Sequence, residues 1–189
     1  MGWARAVKAR HHGARLPVLW LFTDTERLPD PLASVRALPR GLAGVVLRDD
    51  ARPGRAALAR RIAAVCRARR LTLSVAGDWR LAAALHGGLH LRDGRRPPAA
   101  PHWLRAATSS AHGTTELIRA ARQGVALTFL SPAFPTASHP GAPALGAVRW
   151  AALARRVGGA AALGGVDGRR VRRLPAGLCR GAGAIGALK

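Results

Sequence analysis

The chain has 189 residues and carries 31 Lys and Arg against 9 Asp and Glu, for a formal net charge of +22. A length of this kind suits one domain with a substantial buried core. With no Tyr, three Phe and no basic stretch interleaved with aromatics, the composition excludes a base-stacking surface for single-stranded nucleic acid. Lys8 and Lys189 are the only lysines. Arg runs throughout with Ala, Gly and Leu, and over 55–70 and 149–156 it alternates with apolar residues as a solvated helix face does. The charge is diffuse, so nonspecific attraction to polyanions is expected, and a specific nucleic-acid partner is not.

In chain order, residues 1–15 read as a basic disordered tail that contains the adjacent His11 and His12. The run Leu16 to Phe22 is a strand rather than a leader, because it passes into Thr23-Asp24-Thr25-Glu26 without a small-residue cleavage site. Short apolar strands are expected near 17–23, 44–48, 71–75, 88–91, 106–110, 126–131, 160–164 and 182–186. Helical periodicity or composition covers 31–38, 55–69, 78–86, 97–104, 114–123, 147–157 and 168–178. Trp79, Trp103 and Trp150 fall where helices pack on strands. His86 and His90 read as packed or hydrogen-bonded histidines. Cys66 and Cys179 lack any CxxC spacing and read as buried thiols, not as a disulfide or zinc pair. No stretch approaches the roughly 20 apolar residues of a membrane span, so a soluble cytoplasmic protein is expected.

Strict alternation of strand and helix implies a parallel sheet of the α/β class, and eight repeats in this length imply a compact (β/α)₈ TIM barrel. The chain stops at Lys189, just past the eighth strand, so the barrel is expected to lack its last helix or to borrow one in a homo-oligomer. Chemistry in such a barrel collects at the carboxyl ends of the strands. Those ends read Leu47-Arg48-Asp49-Asp50, Ala76-Gly77-Asp78, His90-Leu91-Arg92-Asp93, Ser110-Ala111-His112, Leu163-Gly164-Gly165-Val166 and Gly183-Ala184-Ile185-Gly186. The glycine-rich seventh and eighth ends suit a phosphate.

The sixth strand runs into Phe129 to His139, FLSPAFPTASH. Pro132 and Pro135 pin the backbone, and Thr136 and Ser138 stand two residues apart, so both hydroxyls can face one set of phosphate oxygens. Proline turns bearing Ser and Thr also occur simply as turns.

Together these segments resemble the thiamine phosphate synthase and thiazole tautomerase family. Thr23-Asp24, Leu47-Arg48, Asp78 to Ala82, Gly88 to Leu91, Ser110-Ala111-His112 with Glu116 following, PAFPTAS and LGGV are similar to its strand-end motifs, in order, from about Leu16 to the end. The resemblance implies that residues 16–189 form the barrel. It also implies a synthase that joins hydroxymethylpyrimidine diphosphate to thiazole phosphate and releases pyrophosphate with Mg²⁺. By the same resemblance Arg48 serves the pyrophosphate pocket and Ser110 lies near the pyrimidine diphosphate. Thr136, Ser138 and His139 belong to the thiazole-phosphate loop, and Gly165, Ile185 and Gly186 form the backbone phosphate grip.

This chain departs from the family pattern where that chemistry lies. Val46 and Asp50 stand where the family has glutamine and lysine, and Gly77, Ala76 and Arg95 stand where it has metal-binding aspartates and their asparagine neighbour. His139 replaces a lysine and is cationic only when protonated. Asp78 and Asp93 are alternative Mg²⁺ holders, although Asp78 also suits a helix cap; Arg92, Arg95 and Arg96 are alternative neutralisers of pyrophosphate. Three readings stay open beside the synthase. One is a metal-independent thiazole tautomerase with His112 as general acid or base, and another is a non-catalytic barrel that binds phosphorylated thiazole or pyrimidine metabolites. The third is a polyanion binder with steep salt dependence.

Overall fold

A computed structural model of the chain describes residues 16–24, 26–48, 53–136, 141 and 143–185. Its order is β1 (Leu19–Phe22), α1 (Pro31–Ala37), β2 (Ala43–Leu47), α2 (Arg55–Arg69), β3 (Thr72–Ala76), α3 (Trp79–Ala84), β4 (Gly88–Leu91) and β5 (Ala106–Ala111). Then follow α4 (Thr114–Arg122), β6 (Leu127–Leu130), α5 (Gly146–Arg155), β7 (Ala160–Leu163), a 3₁₀ turn (Arg170–Arg173) and β8 (Cys179–Ala184). All neighbouring strands pair in parallel, and β8 returns to β1 through Leu19 opposite Ala182, which closes the ring. This is the expected (β/α)₈ barrel, with no α-helix after β8 among the described residues.

Alternation along the strands sorts side chains to the two faces of the ring. Trp20, Phe22, Val46, Leu127, Phe129 and Ala161 fill the interior as one buried cluster. Phe129 meets Phe22 and Trp20 edge to face at centroid distances of 4.8 and 5.7 Å, the geometry that aligns a positive ring edge with a negative face. Gly44 is required opposite this plug, since a Cβ there would lie 2.6 Å from the Trp20 ring. Trp20 Nε1 donates to the Pro17 carbonyl at 2.8 Å, so the indole is buried without losing its hydrogen bond.

Outside the ring, helices cover the other face of the strands. In α2 the buried residues Leu58, Ala59, Ile62, Ala63 and Cys66 recur at helical spacing. Asp30 accepts from the Leu32 and Ala33 amides and starts α1 with Pro31 in the first turn. Asp78 accepts from the Leu81 amide at 2.9 Å and starts α3. Trp150 of α5 is fully buried and donates to the Leu130 carbonyl. Burial pushes the Cys66 and Cys179 thiols up to about 12 and about 11, which keeps both neutral and unreactive.

Two expected helices are absent. Residues 97–104 form turns closed by Ala100 N to Pro97 O and Leu104 N to Pro101 O, because Pro97, Pro98 and Pro101 withhold the amide donors a helix needs. Residues 168–178 reduce to the 3₁₀ turn, where Val171 and Leu174 are the buried apolar residues among four arginines and Pro175 follows. Strand β8 starts at Cys179 rather than 182, because the buried Cys179 pairs with Ala160 across a register shift. Trp103 does not pack on the barrel: it is 74% exposed in the β4–β5 connection.

Candidate active site

A cavity of about 910 Å³ opens at the carboxyl ends of the strands. Of the site residues expected from the sequence, Arg48, Ser110, His112, Thr136, Gly165 and Ile185 all line it. Ser138, His139, Gly186 and Asp50 lie outside the described residues. The cavity also takes in Arg92, Asp93 and Gly164, which the strand-end motifs offer as alternatives, and Phe22, Arg27 and His90, which the sequence does not place in the site. The signal that could have found them is position alone, since each stands in a strand or in the loop just after one.

The floor is a buried polar line. His90 Nδ1 lies 2.8 Å from Thr108 Oγ1, which lies 2.9 Å from Ser74 Oγ, and all three side chains are buried inside the ring. The His90 ring stands edge to face on Phe22 at 5.7 Å. Burial first, and the Arg48 charge second, hold its imidazole down at about 3. His90 is therefore a neutral hydrogen-bonding group at physiological pH, unable to supply a cation there.

One wall is basic and built by the early strands. Thr23, fully buried after β1, accepts the Arg48 amide on its hydroxyl at 2.9 Å and ties the β1 and β2 exits together. The Asp24 carboxylate then lies 3.7 Å from the Arg27 guanidinium and 3.9 Å from that of Arg48, so one anion gathers two cations at the cavity edge. Arg92 enters from the β4 exit, held in a tight turn by Arg95 N to Arg92 O at 2.8 Å.

The middle of the mouth carries a histidine and a carboxylate. Asp93 has a left-handed backbone, φ 52°, stabilised by its amide donating to Ser110 Oγ and by Arg119 donating to its carbonyl. Ser110 Oγ in turn donates to Asp93 Oδ1 at 3.4 Å. His112 Nδ1 sits 3.0 Å from the Ser131 carbonyl. A carbonyl can only accept, so this contact calls for a proton on Nδ1, while Nε2 lies 3.8 Å from Asp93 Oδ1, a contact that becomes an ion pair when the ring is protonated.

The opposite wall is made of backbone. Gly164 and Gly165 follow β7 with φ of 83° and 63°, a region that favours glycine. A Cβ on Gly165 would run into the Pro135 and Phe134 carbonyl oxygens, so only glycine lets the β7 exit close on the β6 loop. Ala133 N to Leu163 O and Phe134 N to Gly164 O lace the two together. Arg170 donates to the Gly165 carbonyl at 3.0 Å and braces the corner from outside. Thr136, Gly165, Gly183 and Ile185 thereby border one end of the cavity.

The described residues do not fit Mg²⁺. They contain no cluster of three His, Cys, Asp or Glu side chains able to hold a metal. Asp78, a candidate from the sequence, is committed to capping α3 and to Arg55 at 3.4 Å. Asp24 sits between two guanidinium groups, and Asp93 is engaged by Ser110 and faces His112. Neither belongs to a cluster of three such side chains among the described residues, and near-octahedral Mg²⁺ requires several oxygen ligands at once. Arg96 is not a neutraliser either, since it donates to the Pro101 and Leu104 carbonyls inside its own loop.

A closed eight-stranded parallel ring with helices packed outside it defines a TIM barrel. Within that class, the family model for thiamine monophosphate synthase matches residues 19–188, and the chain belongs to this family. Among solved structures, the chain is similar to thiamine phosphate pyrophosphorylase from Pyrococcus furiosus, with a TM-score of 0.72 at 21% identity over 92% of this chain and 87% of that one. It is also similar to thiamine phosphate pyrophosphorylase from Bacteroides thetaiotaomicron, with a TM-score of 0.62 at 18% identity over 91% of this chain and 84% of that one. At those identities the likeness is one of fold. No curated protein matches the sequence.

Proposed function

We propose that the protein joins a pyrimidine methyl diphosphate to a thiazole phosphate, forming thiamine phosphate and pyrophosphate. The observation that carries this reading is the polarity of the cavity. It has two separate anion-attracting ends, the arginines of the β1, β2 and β4 exits and the glycine and hydroxyl corner of β6 to β8. Two phosphorylated reactants require two such ends, and a single phosphate ester requires one. The pyrimidine ring would lie over Phe22 and His90 between them, with the neutral imidazole as a hydrogen-bond partner.

Chemically, the C–O bond between the pyrimidine methylene and the diphosphate breaks and its electron pair leaves with pyrophosphate. The thiazole nitrogen then donates its lone pair to the methylene carbon, and no proton moves in the balance. The arginines stabilise charge on the leaving group, and the aromatic interior keeps water from the pyrimidine cation. Incubation of the protein with both substrates, with thiamine phosphate read by mass spectrometry, tests this. Product formation above a heat-denatured control is expected. Binding of both substrates without product instead indicates a barrel that has lost catalysis.

A thiazole tautomerase is the second reading, favoured by His112, which lines the cavity with Nδ1 tied to Ser131 and Nε2 beside the Asp93 carboxylate. Under it, isomerisation of a thiazole phosphate carboxylate proceeds with EDTA present, and His112→Asn lowers the rate about 10²-fold to 10⁴-fold, the usual value of a general acid or base.

A further inference from the structure

The arginine wall and the lack of a metal-holding cluster among the described residues are two sides of one arrangement. Arg27, Arg48 and Arg92 come from three different strand exits and line the same cavity. Arg27 and Arg48 are held toward a common point by Asp24, whose Oδ2 lies 3.7 and 3.9 Å from their guanidinium nitrogens. Arg48 is further fixed at its backbone by the buried Thr23 hydroxyl. Of the described carboxylates, Asp24 turns its Oδ2 toward both Arg27 and Arg48, and Asp93 accepts from Ser110 on Oδ1.

We infer that the β1, β2 and β4 exits form a metal-independent diphosphate site, in which Arg48 and Arg92, backed by Arg27, take the charge that a divalent ion would otherwise neutralise. Guanidinium suits the task, because it stays charged at every physiological pH and meets phosphate oxygens through paired N–H donors without a coordination shell. Arg92 follows His90 by two residues on the same exit, so the neutral floor and the cationic wall are set by one strand. The inference rests on the synthase reading proposed above and assigns its leaving-group end.

Calorimetric titration of the whole chain with inorganic pyrophosphate, in about 0.15 M salt to screen diffuse charge, tests it. With EDTA present, one pyrophosphate binds per chain, and excess Mg²⁺ leaves the affinity unchanged or weakens it by competing for the same oxygens. Arg48→Gln and Arg92→Gln each weaken binding at least tenfold, while Arg60→Gln on the exposed face of α2 changes it less than twofold. Circular dichroism melts establish that each variant is folded; both cavity arginines are exposed at the surface, so folding is not at stake. Threefold or greater tightening by Mg²⁺, absence of binding in EDTA, a stoichiometry above one, or an equal loss in Arg60→Gln overturns the inference. Thiazole phosphate binding in the same samples separates the two failures: if it persists while pyrophosphate fails, only this inference falls, and if product never forms although both ligands bind, only the synthase reading falls.

Discussion

The two walls of the cavity are built by different means. The wall from β1, β2 and β4 presents side chains, Arg27, Arg48 and Arg92, at the ends of strands that are themselves well packed. The wall from β6 to β8 presents backbone, with Gly164 and Gly165 in left-handed conformations pressed against the β6 loop. Side chains can be trimmed one at a time with graded loss. Backbone cannot, since altering the residue changes the path of the chain.

The largest effect expected from that contrast is at Gly165. Gly165→Val forces a Cβ into the Phe134 and Pro135 carbonyls at a φ of 63°. It should abolish thiazole phosphate binding and cost about 2–4 kcal/mol of stability. Urea melts and calorimetry would check this; a variant that retains both would show that the corner is not closed as described.

Next is the floor. The folded His90 imidazole stays neutral down to about 3, whereas its ordinary value is 6.5. The unfolded chain therefore takes up a proton between those pH values that the folded chain refuses. Stability present above pH 6.5 is lost as the pH falls toward 3, by an amount on the order of a few kcal/mol. In His90→Gln this component vanishes, so the stability advantage of the native chain over the variant should shrink steadily on acidification. Parallel stability curves for the two chains would contradict the assignment.

A smaller effect is expected at the hydroxyl of the glycine wall. Thr136→Val removes one hydrogen-bonding group from the cavity and should weaken thiazole phosphate by about tenfold, roughly 1–1.5 kcal/mol, with pyrophosphate affinity unchanged. Equal weakening of both ligands would mean that the two walls do not act as separate ends. Least affected should be Trp103→Ser. That side chain is 74% exposed in the β4–β5 connection and does not line the cavity, so stability should change by less than about 0.5 kcal/mol. A larger loss by thermal melt would show that the β4–β5 connection supports the barrel through this tryptophan.

Much of the ring was legible in the sequence because buried parallel strands leave short apolar runs whatever lies around them. The runs near 17–23, 44–48 and 160–164 correspond to β1, β2 and β7 within a residue or two at each end. The failures share a cause. At 97–104 and 168–178, helix-forming composition was outweighed by Pro97, Pro98, Pro101 and Pro175 and by too few apolar residues to form a buried stripe. In the site, Arg48, Ser110, His112, Thr136 and Gly165 carried motif signals and line the cavity. Arg27 and His90 carried none strong enough. An arginine after a strand looks like any other arginine in a chain with 31 basic residues, and a histidine in an apolar strand reads as packing.

The sequence by itself determined the alternation of strands and helices, the ring it implies, and the position of glycines and hydroxyls at the later exits, because each follows from local period and local backbone freedom. Only the tertiary structure decided that Asp78 is also taken up by Arg55 and that His90 is neutral beneath Arg48. It alone brought Arg27, Arg48 and Arg92 to one cavity wall. Those outcomes depend on ring closure, which sets the distance and the solvent exposure between groups far apart along the chain, and no local pattern encodes either.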